Sequence, residues 1–236
     1  MELVSHFWGP QEIEVPWFTI DIEPDEVGGF IGDVHGNTTT YLRKTRHLDW
    51  SIQVGDFWGP FSVLRDLNPT RHLILPGNHE IFPKFWESSN TLPHWGVVQI
   101  GTVKAFFLGG GLSVDRGGRT PGKDWFPDEE APFGQLYLAY LAYQLVKPNV
   151  LVCHEAPSLS LEWNKLKPMS LDPPFHIKST TMQTLDLMLS AYRPETVYHG
   201  HWHQSAQCRK EGLLIRSLGI LDVQVYPHED PRRTNR

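Results

Sequence analysis

Short apolar segments that end in a glycine turn recur along the first third of the chain. Residues 29–31, 51–54 and 72–76 are three such segments, and each is followed by a glycine and then by a polar side chain. An apolar run of this length that stops at glycine is typical of a buried strand and its turn. The polar side chains that follow are Asp33, Asp56 and Asn78.

The spacing of these side chains predicts how the three strands pair. They are separated by 23 and 22 positions, which is enough for one strand and the crossover of a dozen or more residues that parallel strands need. Residues 38–46 and 61–67 are the candidate crossover helices. We therefore expect neighbouring parallel strands that carry all three polar side chains to one edge, where open α/β sheets place ligands.

The second half of the chain combines antiparallel strands with longer helices. Residues 96–101 and 103–108 favour a tight antiparallel pair. Apolar positions at helical spacing predict helices over 133–145 and from about 179 to before Pro194. Strands at 150–152 and 196–198 would lead to His154 and His201, and later strands are expected at 213–215 and 223–225.

Together these elements predict an α/β fold. Parallel βαβ units first, antiparallel strands later and helices on either side indicate a four-layer α/β/β/α sandwich of two mixed sheets flanked by helices. We expect one domain over 1–236, with 1–28 as an N-terminal edge extension in the form of a hairpin and 228–236 as a flexible tail. Residues 111–132 and 156–178 are expected to be loops near the functional site.

Composition narrows the class of partner. The formal net charge of -6 argues against the broad basic face that proteins coating nucleic acids or membrane surfaces require. The sequence shows no signal-peptide pattern and no apolar run near the roughly 20 residues of a membrane span. Two cysteines in 236 residues fit a reducing compartment, so the expected location is cytoplasmic.

Polar motifs stand at five predicted strand ends or turns. They are Gly32-Asp33-Val34-His35-Gly36, Gly55-Asp56, Gly77-Asn78-His79-Glu80, Cys153-His154-Glu155 and Gly200-His201-Trp202-His203. Each alone is a weak signal, because Gly-Asp turns and single histidines are common. In this order the set resembles the calcineurin-like metallophosphoesterase family, whose blocks are GDxHG, GD, GNH[DE], a histidine after a strand, and GHxH. The resemblance covers most of the chain.

The resemblance implies a dinuclear metal centre at the strand ends. One ion would be held by Asp33, His35, Asp56 and His203, and the other by Asp56, Asn78, His154 and His201. Seven side chains give four bonds to each of two ions only if one residue bridges, and the carboxylate of Asp56 has two oxygens for this. Mixed imidazole and oxygen ligands suit divalent transition-metal ions, namely Mn, Fe, Zn or Ni, better than Mg or Ca, and Mn is the ion expected to serve in an assay.

The resemblance also implies a mechanism. Paired ions about 3.5–4 Å apart lower the pKa of a shared water, so the nucleophile would be a hydroxide that bridges the metals and attacks phosphorus in line. In the family His79 is not a ligand but faces the leaving oxygen, as general acid or electrostatic stabiliser. Two alternatives stay open for Glu80: it orients His79, or it is a surface acid.

One block departs from the members that dephosphorylate proteins. Those members usually read GDxxDRG, which places an Asp beside the catalytic histidine and an Arg on the substrate phosphate, whereas this chain reads Gly55-Asp56-Phe57-Trp58-Gly59-Pro60. A second segment, 109–116 followed by 125–129, is similar to a stretch in small bacterial and phage members that packs close to the metals. It makes Arg116 a candidate phosphate contact and Asp115 a candidate partner for a ligand histidine. The alternative is a salt bridge that holds a glycine-rich loop.

These features predict a metal-dependent phosphoesterase that hydrolyses small phosphodiesters, with 2',3'-cyclic nucleotides as an example. The alternatives, in order, are a phosphomonoesterase acting on proteins or small molecules, a nuclease, and a non-catalytic scaffold. A nuclease would need a basic track that the composition does not show, and a scaffold would not need the complete ligand set. The expected partner is a small phosphoester, with no membrane and with polymeric nucleic acid disfavoured. Three tryptophans lie in or beside the motifs, namely Trp58, Trp125 and Trp202. We expect them to pack in the core and walls, and the alternative is that they stack on a base or sugar.

Overall fold

The strands fall into two sheets. The computed structural model describes residues 1–167 and 179–226, so the predicted tail 228–236 and part of the predicted loop 156–178 lie outside the described residues. The strands are β1 (Glu2–Trp8), β2 (Gln11–Ile20), β3 (Gly28–Ile31), β4 (Trp50–Gln53), β5 (His72–Ile74), β6 (Trp95–Ile100), β7 (Val103–Leu108), β8 (Val150–Cys153), β9 (Thr196–His199), β10 (Ala206–Lys210), β11 (Leu213–Ser217) and β12 (Val223–Tyr226).

Both sheets are mixed. The large sheet has the order β1-β2-β6-β7-β8-β9-β11-β10, and the small sheet has the order β12-β3-β4-β5. The parallel pairing of β3 with β4 and of β4 with β5 is as predicted from the spacing of the glycine turns. The antiparallel pairing of β6 with β7 is also as predicted. β12, from the end of the described chain, returns antiparallel to β3.

The helices lie outside the two sheets. They are α1 (Thr38–Thr45), α2 (Phe82–Phe85), α3 (Phe133–Val146), α4 (Ser158–Trp163) and α5 (Thr180–Ala191). α3 ends where Lys147 turns to a left-handed backbone with a φ of 48°. α5 begins at Ser179, whose hydroxyl accepts a hydrogen bond from the backbone N–H of Met182, as a helix cap does. None of the helices in 1–167 and 179–226 has both the length and the apolar character of a membrane span.

Alternating side chains of the central strands place the layers. In β7, Phe106 and Leu108 pack with α3 and α5, whereas Ala105 and Phe107 pack between the sheets. Because neighbouring side chains of a strand point to opposite faces, a strand that is apolar at every position is buried on both. β3 of the small sheet is likewise buried on both faces: Phe30 packs between the sheets, and Ile31 packs in a third core beside α1. The predicted four-layer α/β/β/α sandwich is confirmed.

The N-terminal residues form the predicted hairpin, but only one of its strands is at an edge. β1 pairs antiparallel with β2, and β2 also pairs parallel with β6 inside the large sheet. Ile13 and Val15 of β2 are buried in the core beside α3. The second strand is therefore part of the main sheet.

Other segments differ from the sequence expectations. The predicted crossover helix over 61–67 is a 3-10 helix, Phe61–Asp66, with three-residue hydrogen bonds from Val63 to Pro60 and from Leu67 to Leu64. Eleven residues, 61–71, separate Pro60 from β5, and short 3-10 turns are common in such connections. The short helices α2 and α4 and the strand β10 were not predicted, because each has too few residues to show a clear period.

Candidate metal centre

The carboxyl ends of strands from both sheets meet at one place. Asp33, Asp56 and Asn78 follow β3, β4 and β5 of the small sheet, and His154 and His201 follow β8 and β9 of the large sheet. All five side chains are buried. Hydrogen bonds between the two sheets join these side chains. For example, the backbone N–H of His201 donates to Asp33 Oδ2 at 2.9 Å. These five side chains therefore converge at the strand ends, as the sequence predicted.

The turns that carry these side chains have unusual backbone conformations. Nine non-glycine residues in the described part of the chain have positive φ, and five of them are His35, Asp56, Trp58, His201 and His203, with φ between 40° and 64°. Such conformations cost free energy for residues with a Cβ and cluster at functional sites. Gly200 is required for a different reason, since a Cβ there would collide with Asp33 Oδ1. The local strain marks this edge as a site.

The first predicted ligand set lies towards the surface, and we call it the outer group: Asp33, His35, Asp56 and His203. One donor atom from each lies within 4.8 Å of the others. His203 Nε2 is 3.3 Å from Asp33 Oδ2, and His35 Nε2 is 3.5 Å from Asp56 Oδ2. The two imidazole nitrogens, His35 Nε2 and His203 Nε2, are 2.7 Å apart. At that separation they must share a proton or a cation.

The second predicted set, the inner group, consists of Asp56, Asn78, His154 and His201. Its carboxylate and imidazole donors also lie within 4.8 Å of one another. Asn78 Oδ1 is 2.9 Å from both His154 Nε2 and His201 Nδ1. Asp56 Oδ1 is 3.3 Å from His154 Nε2. Asp56 is thus the one side chain that belongs to both groups, as a bridging carboxylate would.

Hydrogen bonds in the inner group leave acceptors facing one another. His154 Nδ1 donates to the carbonyl of Val54 at 2.9 Å, so Nε2 of the neutral ring carries a lone pair. Burial lowers the pKa of His154 to about 3, so that the ring is neutral at neutral pH. The amide of Asn78 donates from Nδ2 to Ser113 Oγ, which turns its Oδ1 towards that lone pair. Two acceptors at 2.9 Å fit a cation between them, so these residues fit a metal ion.

The two buried carboxylates support the same conclusion. Asp33 Oδ1 and Asp56 Oδ2 are buried without a hydrogen-bond partner among the described residues, and such atoms are rare unless an ion or water satisfies them. Burial raises the pKa of Asp33 to about 6. Burial also acts against ionisation of Asp56, but the imidazoles of His154, His79 and His35 outweigh it and lower its pKa. A divalent cation would stabilise both charged forms.

Glu80 is neither of the things expected from the sequence. It is buried, so it is not a surface acid, and its carboxylate accepts hydrogen bonds from the backbone N–H groups of Phe57 at 2.8 Å and Trp58 at 3.2 Å instead of orienting His79. Burial, followed by the charge of Asp56, raises the pKa of Glu80 to about 8. Glu80 therefore shapes the strained turn that presents Asp56.

Glu155 is a supporting residue that sequence reasoning did not assign. It is buried, and Oε1 accepts hydrogen bonds from Trp202 Nε1 at 3.3 Å and from the backbone of Ala156. Oε2 accepts from Ser179 Oγ and lies 3.7 Å from His201 Nε2, the ring nitrogen that faces away from the inner group. The sequence feature that could have identified Glu155 is that it directly follows His154 within a motif. Its partner His201, however, is 46 positions away along the chain.

The segment after β7 packs against the centre, as the resemblance implied, but through different residues. Ser113 contacts Asn78, and its backbone N–H donates to the buried Glu129 at 3.2 Å. Arg116, the candidate phosphate contact, is exposed, and its side chain makes no hydrogen bond with the described residues. Asp115 does not contact a ligand histidine: it pairs with Arg119, whose Nη2 lies 2.7 Å from Asp115 Oδ1 and 2.8 Å from His79 Nε2. Arg119 is therefore the arginine that reaches the site.

His79 lies between the ligands and two outer side chains, Trp58 and Arg119, which we call the rim. Its backbone N–H donates to Asp56 Oδ1 at 2.8 Å, and its side chain is not part of either ligand group. Its ring centroid is 5.3 Å from that of Trp58. Burial, opposed by Asp56 and aided by Arg119, lowers the pKa of His79. Trp58 is not the packed wall residue expected from the sequence, since 45% of it is exposed.

Comparison with known proteins agrees with this geometry. The family model described as calcineurin-like phosphoesterase matches residues 29–205, a range that contains every predicted ligand. The chain belongs to the calcineurin-like phosphoesterase family. It is a metal-dependent phosphoesterase, and the family uses a centre of two divalent ions, for which the two groups of Asp and His side chains provide donors.

Several solved structures resemble the phosphoesterase. A conserved uncharacterized protein of Streptococcus pneumoniae TIGR4, described as a predicted phosphoesterase, is 13% identical with a TM-score of 0.38, covering 83% of this chain and 72% of its own. A putative 5'-nucleotidase from Staphylococcus aureus is 12% identical with a TM-score of 0.49, covering 84% of this chain and 52% of its own. The phosphopantetheinyl hydrolase of Mycobacterium tuberculosis is 11% identical with a TM-score of 0.44, covering 82% and 90%.

Likeness at these identities and TM-scores says nothing about the substrate of this chain. The chain spans about half of the Staphylococcus aureus protein, 52% of its length. No curated protein matches the sequence.

Proposed function

We propose that the phosphoesterase hydrolyses small phosphodiesters, with nucleotide-type esters such as 2',3'-cyclic nucleotides as the leading class and phosphomonoesters as weaker substrates. The observation that carries the proposal is the make-up of the rim beside the metal centre. It offers one guanidinium that a carboxylate already pairs, Arg119 with Asp115, and one exposed indole, Trp58.

The rim has little uncompensated positive charge. A phosphomonoester carries close to two negative charges at neutral pH, because its second pKa is about 6, whereas a diester carries one. Among the described residues, Arg119 is the only arginine or lysine that a hydrogen bond joins to His79 or to a predicted ligand. Asp115 neutralises part of that charge. Beyond the metal ions, this balance favours a substrate with a single charge.

The exposed indole favours an organic group next to the phosphate. Trp58 stands beside His79, with ring centroids 5.3 Å apart, and beside His35, with centroids 6.1 Å apart. A flat aromatic group or nucleobase on the substrate can stack on its exposed face. Both ester groups of a diester are organic, so one of them can occupy this position while the other leaves.

The donor set also bears on the ions. Imidazole, amide and carboxylate donors favour Mn, Fe, Zn or Ni, and we propose Mn as the ion for assays. When bound, two such ions would supply Lewis acidity towards the phosphoryl oxygens and lower the pKa of a water. The chain itself holds His79 at the rim through its backbone bond to Asp56, and we propose that this side chain faces the leaving oxygen.

The proposed setting follows from the same features. Cys153 and Cys208 are free thiols, which fits a reducing compartment, and we propose the cytoplasm as the location. The proposed partner is a small phosphoester and not a polymer, because the acidic chain shows no basic track for several phosphates.

The proposal is tested by comparing esters under identical metal loading. Bis-p-nitrophenyl phosphate, p-nitrophenyl phosphate and 2',3'-cyclic nucleotides would be incubated with the Mn-loaded protein, with and without chelator. We expect chelator-sensitive hydrolysis with a higher kcat/KM for the diesters. Hydrolysis of the monoester alone would reverse the substrate preference, and chelator-sensitive cutting of single-stranded DNA or RNA in place of small diesters would favour a nuclease.

A further inference from the structure

Arg119 reaches the metal centre because of a tight turn in the loop 111–132. The 3-10 helix Arg116–Gly118 turns the chain, with the N–H of Gly118 donating to the carbonyl of Asp115 and the N–H of Arg119 donating to that of Arg116. The turn leaves Arg116 exposed and sends the side chain of Arg119 inward, where 9% of it remains exposed. Two arginines three positions apart therefore have opposite surroundings.

The guanidinium of Arg119 is held on two sides. Nη2 lies 2.7 and 2.9 Å from the two carboxylate oxygens of Asp115, and Nη1 donates to the carbonyl of Asp124 at 3.3 Å. Nη2 also donates to Nε2 of His79 at 2.8 Å. Since a guanidinium only donates, His79 Nε2 is the acceptor in this arrangement.

For a cation, His79 is a weaker partner than the carboxylate of Asp115. A neutral imidazole nitrogen carries no charge, whereas a phosphoryl oxygen does, and charge-assisted hydrogen bonds are roughly twice as strong as neutral ones. A phosphate oxygen that arrives beside His79 would therefore replace the imidazole as the acceptor. Asp115 would keep the guanidinium in place during this exchange, because both of its carboxylate oxygens contact Nη2.

A purely structural role accounts poorly for this arrangement. Asp115 is 60% exposed in its side chain, and ion pairs with one exposed partner contribute little to stability. The pair also lies in a glycine-rich loop and contacts a residue of the site, not the core. The position of the Asp115–Arg119 pair beside His79 would place it next to a bound substrate.

We infer that Arg119 contacts the substrate phosphoryl group next to His79, and that Asp115 is the residue that positions it. The inference rests on the proposed function. It assigns to Arg119 the phosphate contact for which the sequence had offered Arg116 as a candidate. It also supplies a cation at the rim, in a chain that has no GDxxDRG arginine.

The test compares variants of the two arginines. Arg119→Ala and Arg119→Lys would be measured beside the matched control Arg116→Ala, which removes the same side chain from the exposed side of the same turn. Three quantities would be measured in the Mn-loaded protein: binding of inorganic phosphate by calorimetry, kcat/KM for bis-p-nitrophenyl phosphate, and metal content by elemental analysis. Metal content and the melting temperature report whether each variant is folded.

We expect Arg119→Ala to weaken phosphate binding and to lower kcat/KM by about 10- to 100-fold each, the range for loss of a charge-assisted hydrogen bond. Arg116→Ala should stay within about twofold of the wild type, as surface changes usually do. Arg119→Lys should recover part of the loss, because a point charge cannot hold Asp115 and the phosphate with the same fork. All three variants should keep the wild-type metal content.

Asp115 requires a separate readout, since it acts through Arg119. Asp115→Asn should raise KM more than it lowers kcat and should weaken phosphate binding, and Asp115→Glu should restore part of both. A change confined to the melting temperature would show a structural role only.

The outcomes separate this inference from the proposed function. A wild-type protein that binds phosphate through Arg119 but hydrolyses no phosphoester would contradict the proposed function alone. Equal phosphate binding and equal kcat/KM in folded, metal-loaded Arg119→Ala, Arg116→Ala and wild-type proteins would overturn the inference while leaving the proposed function intact. A metal-loaded wild type that binds no inorganic phosphate would overturn it as well.

Discussion

The outer and inner ligand groups share Asp56 but differ in how firmly their other members are held. In the inner group, the side chains of His154 and His201 are 0% and 6% exposed, whereas His35 and His203 of the outer group are 17% and 32% exposed. His154 is tied to the carbonyl of Val54, and Asn78 to Ser113. The inner group is therefore preorganised, whereas the two histidines of the outer group are partly exposed to solvent.

This difference shows how one centre can retain a metal ion and still be accessible to substrate. Supporting contacts that fix the ring orientation of a ligand histidine raise metal affinity. Groups near solvent lose less free energy when a ligand leaves, because water can replace it. We expect the inner ion to stay bound while the outer ion exchanges and faces the substrate.

The largest expected effect comes from the residue common to both groups. Asp56→Asn should reduce the metal content from about two ions per chain to less than one and lower kcat/KM by about 10³-fold or more, the equivalent of several kcal/mol of charge stabilisation. Elemental analysis and hydrolysis of bis-p-nitrophenyl phosphate measure both changes. The exposed Asp66→Asn is the control, and a folded Asp56→Asn protein that retains two ions would exclude the bridging role.

The two groups should separate when one histidine is removed from each. His203→Ala should keep one tightly bound ion, whereas His154→Ala should lose the inner ion and weaken binding of the other. In the wild type, a chelator titration should remove the ions in two steps, with dissociation constants that differ by at least about tenfold. Simultaneous loss of both ions in the titration, or equal losses in the two variants, would contradict the distinction between the groups.

A smaller effect is expected from the carboxylate behind the inner group. Glu155→Gln removes the charge that lies 3.7 Å from His201 Nε2 and should weaken binding of the inner ion by about 10-fold, the lower end of the range for such supporting contacts. The outer ion should be affected less. The matched control is Glu162→Gln, an exposed glutamate on α4, and identical metal affinities in the two variants would show that Glu155 supports the fold alone.

The smallest effect is expected at the rim on the outer side. Trp58→Ala should raise KM for 2',3'-cyclic nucleotides by about fivefold, the lower end of the roughly 1–3 kcal/mol that stacking of a base on an aromatic ring contributes. Binding of inorganic phosphate, which has no base, should not change. Trp8→Ala removes an indole of similar exposure from β1 and should leave KM unchanged. A parallel loss for phosphate would point to damage of the metal centre instead of lost stacking.

Much of the fold was predictable because it depends on local periodicity, whereas the ligand set was predicted from the resemblance of the five motifs to the family. Apolar runs that stop at glycine placed Asp33, Asp56 and Asn78 at the ends of parallel strands, and the structure has β3, β4 and β5 in that arrangement. The segment over 61–67 was predicted less well, since six residues do not distinguish a 3-10 helix from an α-helix. Short elements such as α2 and α4 carry too little periodic pattern for prediction.

The supporting residues were less predictable because their partners are distant in sequence. Glu80 was expected to orient His79 or to be exposed, but it is buried against the backbone of Phe57 and Trp58, which lie 23 and 22 positions earlier in the chain. Arg116 and Arg119 are the same residue type in the same loop, so the sequence does not distinguish them. The turn between them directs Arg116 to solvent and Arg119 to His79. A loop has no repeat that fixes the direction of a side chain.

Hydrophobic period and glycine turns, which act over neighbouring residues, predicted the parallel pairing of β3, β4 and β5, the antiparallel pair β6-β7 and the four-layer architecture. The candidate ligands were predicted from the resemblance of the five motifs to the family, and the strand order of the large sheet was not predicted. The tertiary structure decided which acids are buried behind the ligands, which arginine reaches the rim, which tryptophan is exposed and which ligand group is firmly held. Each of these depends on contacts between segments far apart in the chain, where burial and hydrogen-bond partners are set by packing.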